Sequence, residues 1–192
     1  MTKERLIQSI KANIWRGKKR TDFMKAVFAG YGDNVSYFPK IMPLYPELIK
    51  FGNNIVVASG VHFITHDAIH KILNNIPSQI RGRDRFKERV GCIEIGDNVF
   101  IGSNTTIMYN TIIGSNVIIG SGTMVLSDLE SNSVYVGMPA RKIGTFDDFI
   151  KKRIETEADF EIEKSQVLTD EEIQRYWREF YQMKQNITKS LC

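Results

Sequence analysis

From Ile95 onward an aliphatic residue returns at every sixth position. The chain reads IGDNVF, IGSNTT, IMYNTI, IGSNVI, IGSGTM and VLSDLE, so six successive hexads open with Ile95, Ile101, Ile107, Ile113, Ile119 and Val125. The fifth position is also restricted, to Val99, Thr105, Thr111, Val117, Thr123 and Leu129, and Gly follows the first residue in four of the six copies. A period of six fits neither a 3.6-residue helix nor a strand that alternates between two faces. It suits short strands joined by tight bends, one hexad on each face of a three-sided coil, with coils stacked about 4.7–4.9 Å apart. The first residue of each hexad then points inward, and each such aliphatic contributes about 1.5–3 kcal/mol when fully buried. Gly and Asn near the bends suit backbone with positive φ, and a small Thr or Val fits the corner.

The same register appears earlier, in FGNNIV, VASGVH and FITHDA from Phe51, Val57 and Phe63. Weaker copies, YGDNVS and YFPKIM, precede a slip of two residues before Tyr45. A coil cannot close its own ends, so both need caps. Residues 3–28 read as helical, with a break near WRGKKRT. After GMPARKIG the repeat stops, and FDDFIKKRIETEADF is helical in character. A second helix is expected from Thr169, which stands at capping-box spacing from Glu172. Its aromatic stripe of Tyr176, Trp177, Phe180 and Tyr181 is expected to pack against the coil or a neighbouring subunit. The expected organisation is an N-terminal helical region over 1–30, a β-coil over 31–144 with a protruding loop at 67–92, and a C-terminal helical extension over 145–192.

Composition fits this picture. The 192 residues are 42% hydrophobic and 25% charged, with a net charge of +4, which argues against a disordered or membrane-spanning class. The N-terminus lacks the apolar core of a signal peptide, and no run is long enough to span a bilayer; a cytoplasmic location is the default. Cys92 and Cys192 give neither a metal spacing nor a disulfide framework. The charge is too mild to imply nucleic acid. The basic run RGRDRFKER at 81–89 reads either as a solvated loop or as an anion contact.

All three histidines lie in GVHFITHDAIH: His62, His66 and His70. On a helix, spacings of i, i+4 and i+8 would line one face and suggest a metal site. The hexad register instead places His62 and His66 in extended coil and His70 in the loop. Long excursions from a compact fold are often functional.

Three motifs, NNIVVASGVHFITHD, IEIGDNVFIGSNTTI and VYVGMPARKIG, are similar to those of the hexapeptide-repeat acyltransferases. The chain resembles the branch that O-acetylates maltose, galactosides, nodulation factors and surface polysaccharides. That resemblance implies a left-handed parallel β-helix, a homotrimer with sites between subunits, acetyl-CoA as acyl donor and no metal. It implies His66 as general base, with Phe100 and Ser103 at the thioester end of the coenzyme A tunnel. Ser121 would meet the pantetheine arm, and Arg141 and Lys142 the coenzyme phosphates. His70 is a candidate for the acceptor pocket. Two departures stand out: Leu126 and Ser127 occupy positions where relatives carry Thr-Lys, and Phe100 stands where Trp is common.

Acetyl transfer from a thioester to a hydroxyl needs a base, and imidazole can take a proton near neutral pH. The implied activity is O-acetylation of a sugar or polysaccharide hydroxyl. An antibiotic or amino-sugar N-acetyltransferase stays open on the same fold. So do a γ-type carbonic anhydrase, which needs three converging imidazoles, and a non-catalytic trimeric scaffold.

Overall fold

The computed structural model describes residues 3–82, 84–156 and 168–190. Cys192, Arg83 of the basic run and residues 157–167 of the C-terminal extension lie outside them. Two compact units result, Met1–Ile154 and Glu155–Cys192.

Two helices, α1 (Lys3–Ile14) and α2 (Gly17–Val27), precede the first strand. The coil then runs through β1 (Gly30–Tyr31) and β2 (Val35–Tyr37), and next through β3 (Ile49–Phe51), β4 (Ile55–Val57) and β5 (His62–Ile64). There it is interrupted by β6 (His66–Asp67), α3 (Ile69–Leu73), α4 (Ser78–Arg81) and β7 (Arg89–Val90). It resumes with β8 (Ile93–Ile95), β9 (Val99–Ile101), β10 (Thr106–Met108), β11 (Thr111–Ile113), β12 (Val117–Ile119) and β13 (Met124–Val125). It ends in β14 (Ser133–Val136), β15 (Arg141–Gly144) and α5 (Phe146–Thr156).

Three parallel sheets form the sides. One holds β1, β3, β8 and β11, the second β5, β10 and β13, and the third β2, β4, β9, β12 and β14, with β15 added antiparallel at its edge. The opening residues of the hexads are the core: Ile95, Ile101, Ile107, Ile113, Ile119 and Val125 are at most 1% exposed. The fifth positions Val99, Thr105, Thr111, Val117 and Thr123 are buried beside them, with Thr123 Oγ1 donating to the Gly120 carbonyl at 2.7 Å, whereas Leu129 lies opposite the opening residue Ile113 instead. Toward α2 the stack becomes aromatic, with Phe28, Phe51 and Phe63 meeting edge to face.

The fourth hexad position makes the corner. Asn34, Asn54, Asn98, Asn104, Asn110 and Asn116, and Asn132 after a last coil of 16 residues, all have φ between 54° and 59°, the left-handed region that Asn tolerates better than other non-glycine residues. Four of them also form a ladder. Asn34 Nδ2 donates to Asn54 Oδ1, Asn54 to Asn98 and Asn98 to Asn116, at 2.8–2.9 Å.

These rungs measure the repeat. Asn98 and Asn116 are 18 residues apart, one full coil, whereas Asn34 and Asn54 are 20 apart and Asn54 and Asn98 are 44 apart. The two extra residues match the slip read before Tyr45. The larger gap shows that 26 residues interrupt one coil, and they do not form a bare loop. The Gly91 N–H donates to the Thr65 carbonyl at 2.9 Å, and β6 and β7 pair antiparallel as a neck beneath two short helices. The chain therefore leaves the coil at His66, one residue before the expected loop at 67. Phe63 pairs with Ile107, so the residue after Thr65 falls opposite the Asn110 corner. His66 is not left-handed there, so the corner is not turned and the strand continues outward.

In the second unit, α6 (Asp170–Ser190) begins with the expected capping box. The Thr169 N–H donates to Glu172 Oε2 at 2.7 Å, and the Glu172 N–H to Thr169 Oγ1 at 3.3 Å. Trp177, Phe180 and Tyr181 are exposed on it.

Candidate active site

His66 stands where the coil becomes the excursion. Its backbone is opposite Val90 across the neck, and its ring meets the Tyr45 ring edge to face at 5.7 Å between centroids. Nδ1 is buried without a hydrogen-bond partner among the described residues, while Nε2 lies 4.0 Å from Glu88 Oε1. A carboxylate brought by the returning strand thus faces one nitrogen of the only histidine at the neck.

Asp67 fixes that neck. Its Oδ2 accepts from the Tyr109 hydroxyl at 2.7 Å, and its Oδ1 accepts from the Ile69 N–H at 3.1 Å at the start of α3. The Tyr109 hydrogen bond is the main reason the Asp67 carboxyl lies below its usual range, and the same bond pushes the Tyr109 phenol up. The Arg89 cation beside them also lowers Asp67.

Between α3 and the returning strand is a cavity of about 550 Å³ lined by Asp67, His70, Leu73, Phe86, Glu88 and Arg89. His70 is in α3 rather than in an irregular loop, and it lines this cavity. His66 does not line it, but Glu88 both lines it and faces His66. His62 is exposed on β5. Among the described residues no group of three or more His, Cys, Asp or Glu converges in a geometry that could hold a metal.

The other candidates lie elsewhere on the coil. Phe100 is 42% exposed on the outer face of β9 and lines an apolar groove of about 520 Å³ with Val56, Ile118, Phe146 and Phe149. Ser103 and Ser121 stack at the corner between the Phe100 sheet and the β5–β10–β13 sheet, and the Gly122 N–H donates to the Ser103 carbonyl at 2.8 Å. Gly102 is required there, because a Cβ would sit 2.5 Å from the Ser121 nitrogen. Arg141 and Lys142 open β15. Lys142 Nζ has Glu130 Oε2 at 3.2 Å, while Arg141 Nη1 donates to the Ala140 carbonyl. Within one chain, then, His66 and the serine corner are at opposite edges of the β5–β10–β13 sheet.

Four residues escape sequence reasoning: Tyr45 and Glu88 beside His66, and Arg89 and Tyr109 beside Asp67. Glu88 and Arg89 are hidden inside a run read for its net positive charge. Asp67 follows His66 directly, and that adjacency was the one available signal.

Residues 92–127 match the family described as bacterial transferase hexapeptide (six repeats). The protein named Protein CapG, from Staphylococcus aureus, is 39% identical over 110 residues, which is 57% of this chain and 60% of the relative. The chain thus spans about 60% of that relative's length. A maltose O-acetyltransferase from Clostridium difficile superposes with a TM-score of 0.53 at 25% identity, over 74% of this chain and 84% of that one. A galactoside acetyltransferase in complex with coenzyme A superposes with a TM-score of 0.56 at 23% identity, over 86% and 87%. The chain carries hexapeptide repeats folded into the left-handed parallel β-helix seen in these acetyltransferases, capped by helices and interrupted by one excursion.

Proposed function

We propose that the protein is an acetyl-CoA-dependent O-acetyltransferase that acetylates a hydroxyl of a sugar or surface polysaccharide in the cytoplasm. The observation that carries this reading is His66, the one imidazole held at the neck with Nε2 facing a carboxylate beside a polar cavity. The likeness to a maltose O-acetyltransferase and to a galactoside acetyltransferase with coenzyme A supports the donor and the acceptor class.

In this reading His66 takes the proton of the acceptor hydroxyl as its oxygen attacks the thioester carbonyl. A backbone N–H near Ser103 stabilises the oxyanion. The carbon–sulfur bond then breaks, and the proton passes to the departing thiolate, giving the acetyl ester and free coenzyme A. Phe100 and Ser103 flank the thioester, Ser121 the pantetheine arm, and Arg141 and Lys142 the coenzyme phosphates. His70 contributes to the acceptor pocket. His66 and the serine corner lie at opposite sheet edges of one chain, so the reading requires a homotrimer whose neighbouring copies complete each site.

The test is coenzyme A release across a panel of sugars and oligosaccharides. His66→Ala should lower turnover about 10²–10⁴-fold, the usual contribution of a general base, with the oligomer intact. Near-normal transfer by that variant would sink the assignment. Absence of acetyl-CoA binding by calorimetry would sink the activity itself.

A further inference from the structure

The helix α1 is turned inside out. Its small and polar residues face the protein: Ser9 and Ala12 are buried, Ser9 Oγ accepts from the Met42 N–H at 3.0 Å, and Arg5 Nε donates to the Met42 carbonyl at 2.7 Å. Its large aliphatics face solvent. Leu6, Ile7, Ile10 and Ile14 are 45%, 40%, 47% and 69% exposed, and at 100° per residue they share one stripe opposite the packed face. The packed face is held to the segment after β2 through Asn13 Nδ2, which donates to the Lys40 carbonyl at 2.6 Å.

The charge of the chain is concentrated on the same layer. Residues 1–28 contain eight Lys or Arg and two acids, a net of +6, against +4 for the whole chain. The remaining residues are therefore net negative. Lys11 from α1 and Lys19 from α2 converge over the ring of Trp15, at 5.5 and 4.5 Å from its centroid, beside Ile14.

The geometry points to an anionic phospholipid bilayer as the partner of this face, with α1 lying in the plane of the interface. An apolar stripe rimmed by cations and an amphipathic aromatic is the pattern that seats a helix at the headgroup level. Nucleic acid would match the cations but leave the aliphatics in water. A second copy presenting the same helices would set lysine against lysine. Among the described residues no helix is long and apolar enough to cross a membrane, so attachment is peripheral and reversible.

Flotation of the full chain with vesicles tests this. Vesicles of phosphatidylglycerol and phosphatidylcholine in equal parts should carry the protein, and pure phosphatidylcholine should not. Replacing Lys18 and Lys19 by Gln should weaken binding about fivefold per lysine, and high salt should mimic the loss. The solvent-facing pair Ile10→Gln and Ile14→Gln should weaken it about tenfold, with circular dichroism and acetyl transfer unchanged. Equal binding to both vesicle types, or no effect of either pair, overturns the assignment. So does a change in oligomer size caused by the isoleucine pair without vesicles, which would mean that the stripe covers another copy. Capture of RNA without flotation overturns it as well.

Discussion

Asp67 holds the neck of the excursion from two directions, through Tyr109 on the coil and the Ile69 N–H of α3. Its carboxyl is depressed chiefly by the Tyr109 hydrogen bond. A depressed carboxyl contributes stability that is complete above its unfolded value, near 3.9, and lost as pH falls through the lower folded value. The raised Tyr109 phenol has the opposite window: its contribution is complete below about 10 and fades as pH rises through the folded value. Tyr109→Phe should therefore speed amide exchange in Ile69–Leu73 roughly threefold near neutral pH. It should also flatten the acid dependence of that exchange. Hydrogen exchange by mass spectrometry reads both, and an unchanged acid profile would mean that Asp67 is held by other groups. None of this was legible in the sequence, because Asp67 and Tyr109 are 42 residues apart and share no periodicity.

What one element shows of itself depends on whether its pattern reports a local rule. The corner is such a rule. Asn at the fourth hexad position adopts φ near 57° at seven turns of the coil, Gly60 and Gly122 serving at two others, and the aliphatic that opens each hexad reports burial directly. The coil was therefore readable from residues alone, whereas the repeat pattern starts the excursion at 67 and the chain leaves the coil at His66. The contents of the excursion were not, since two helices of five and four residues are too short to carry a period. Nor did the helical pattern of α1 say that its aliphatics face outward, because periodicity identifies a face but not what meets it. The corner rule also predicts how to remove the excursion. Deleting residues 66–91, joining Thr65 to residue 92 and replacing Cys92 by Asn restores a hexad with Asn at its corner. The Gly91 N–H already reaches the Thr65 carbonyl, so the ends need little movement. Loop length has only a shallow entropic effect, and the melting temperature should stay within about 5 °C. Acetyl transfer should disappear with His66. An unfolded product would show that the coil depends on the excursion for its core.

At the scale of the molecule, the proposed base and the proposed coenzyme corner belong to different edges of one sheet, so neither edge completes a site alone. In a closed ring each copy offers His66 to one neighbour and Ser103 with Ser121 to the other. Two damaged chains should then repair each other. His66→Ala removes the base and leaves the corner intact. Ser121→Arg sets a long cation on the exposed serine corner and leaves the base intact. Each variant alone should be inactive. Unfolded and refolded together in equal amounts, they should mix at random, and about one interface in four would join an intact base to an intact corner. Coenzyme A release should then rise to about a quarter of the wild-type rate. Two separately purified variants mixed without refolding provide the baseline, since their rings stay unmixed. If refolding raises activity no higher than that baseline, base and donor are served by the same chain, and the site must close within one coil rather than between copies.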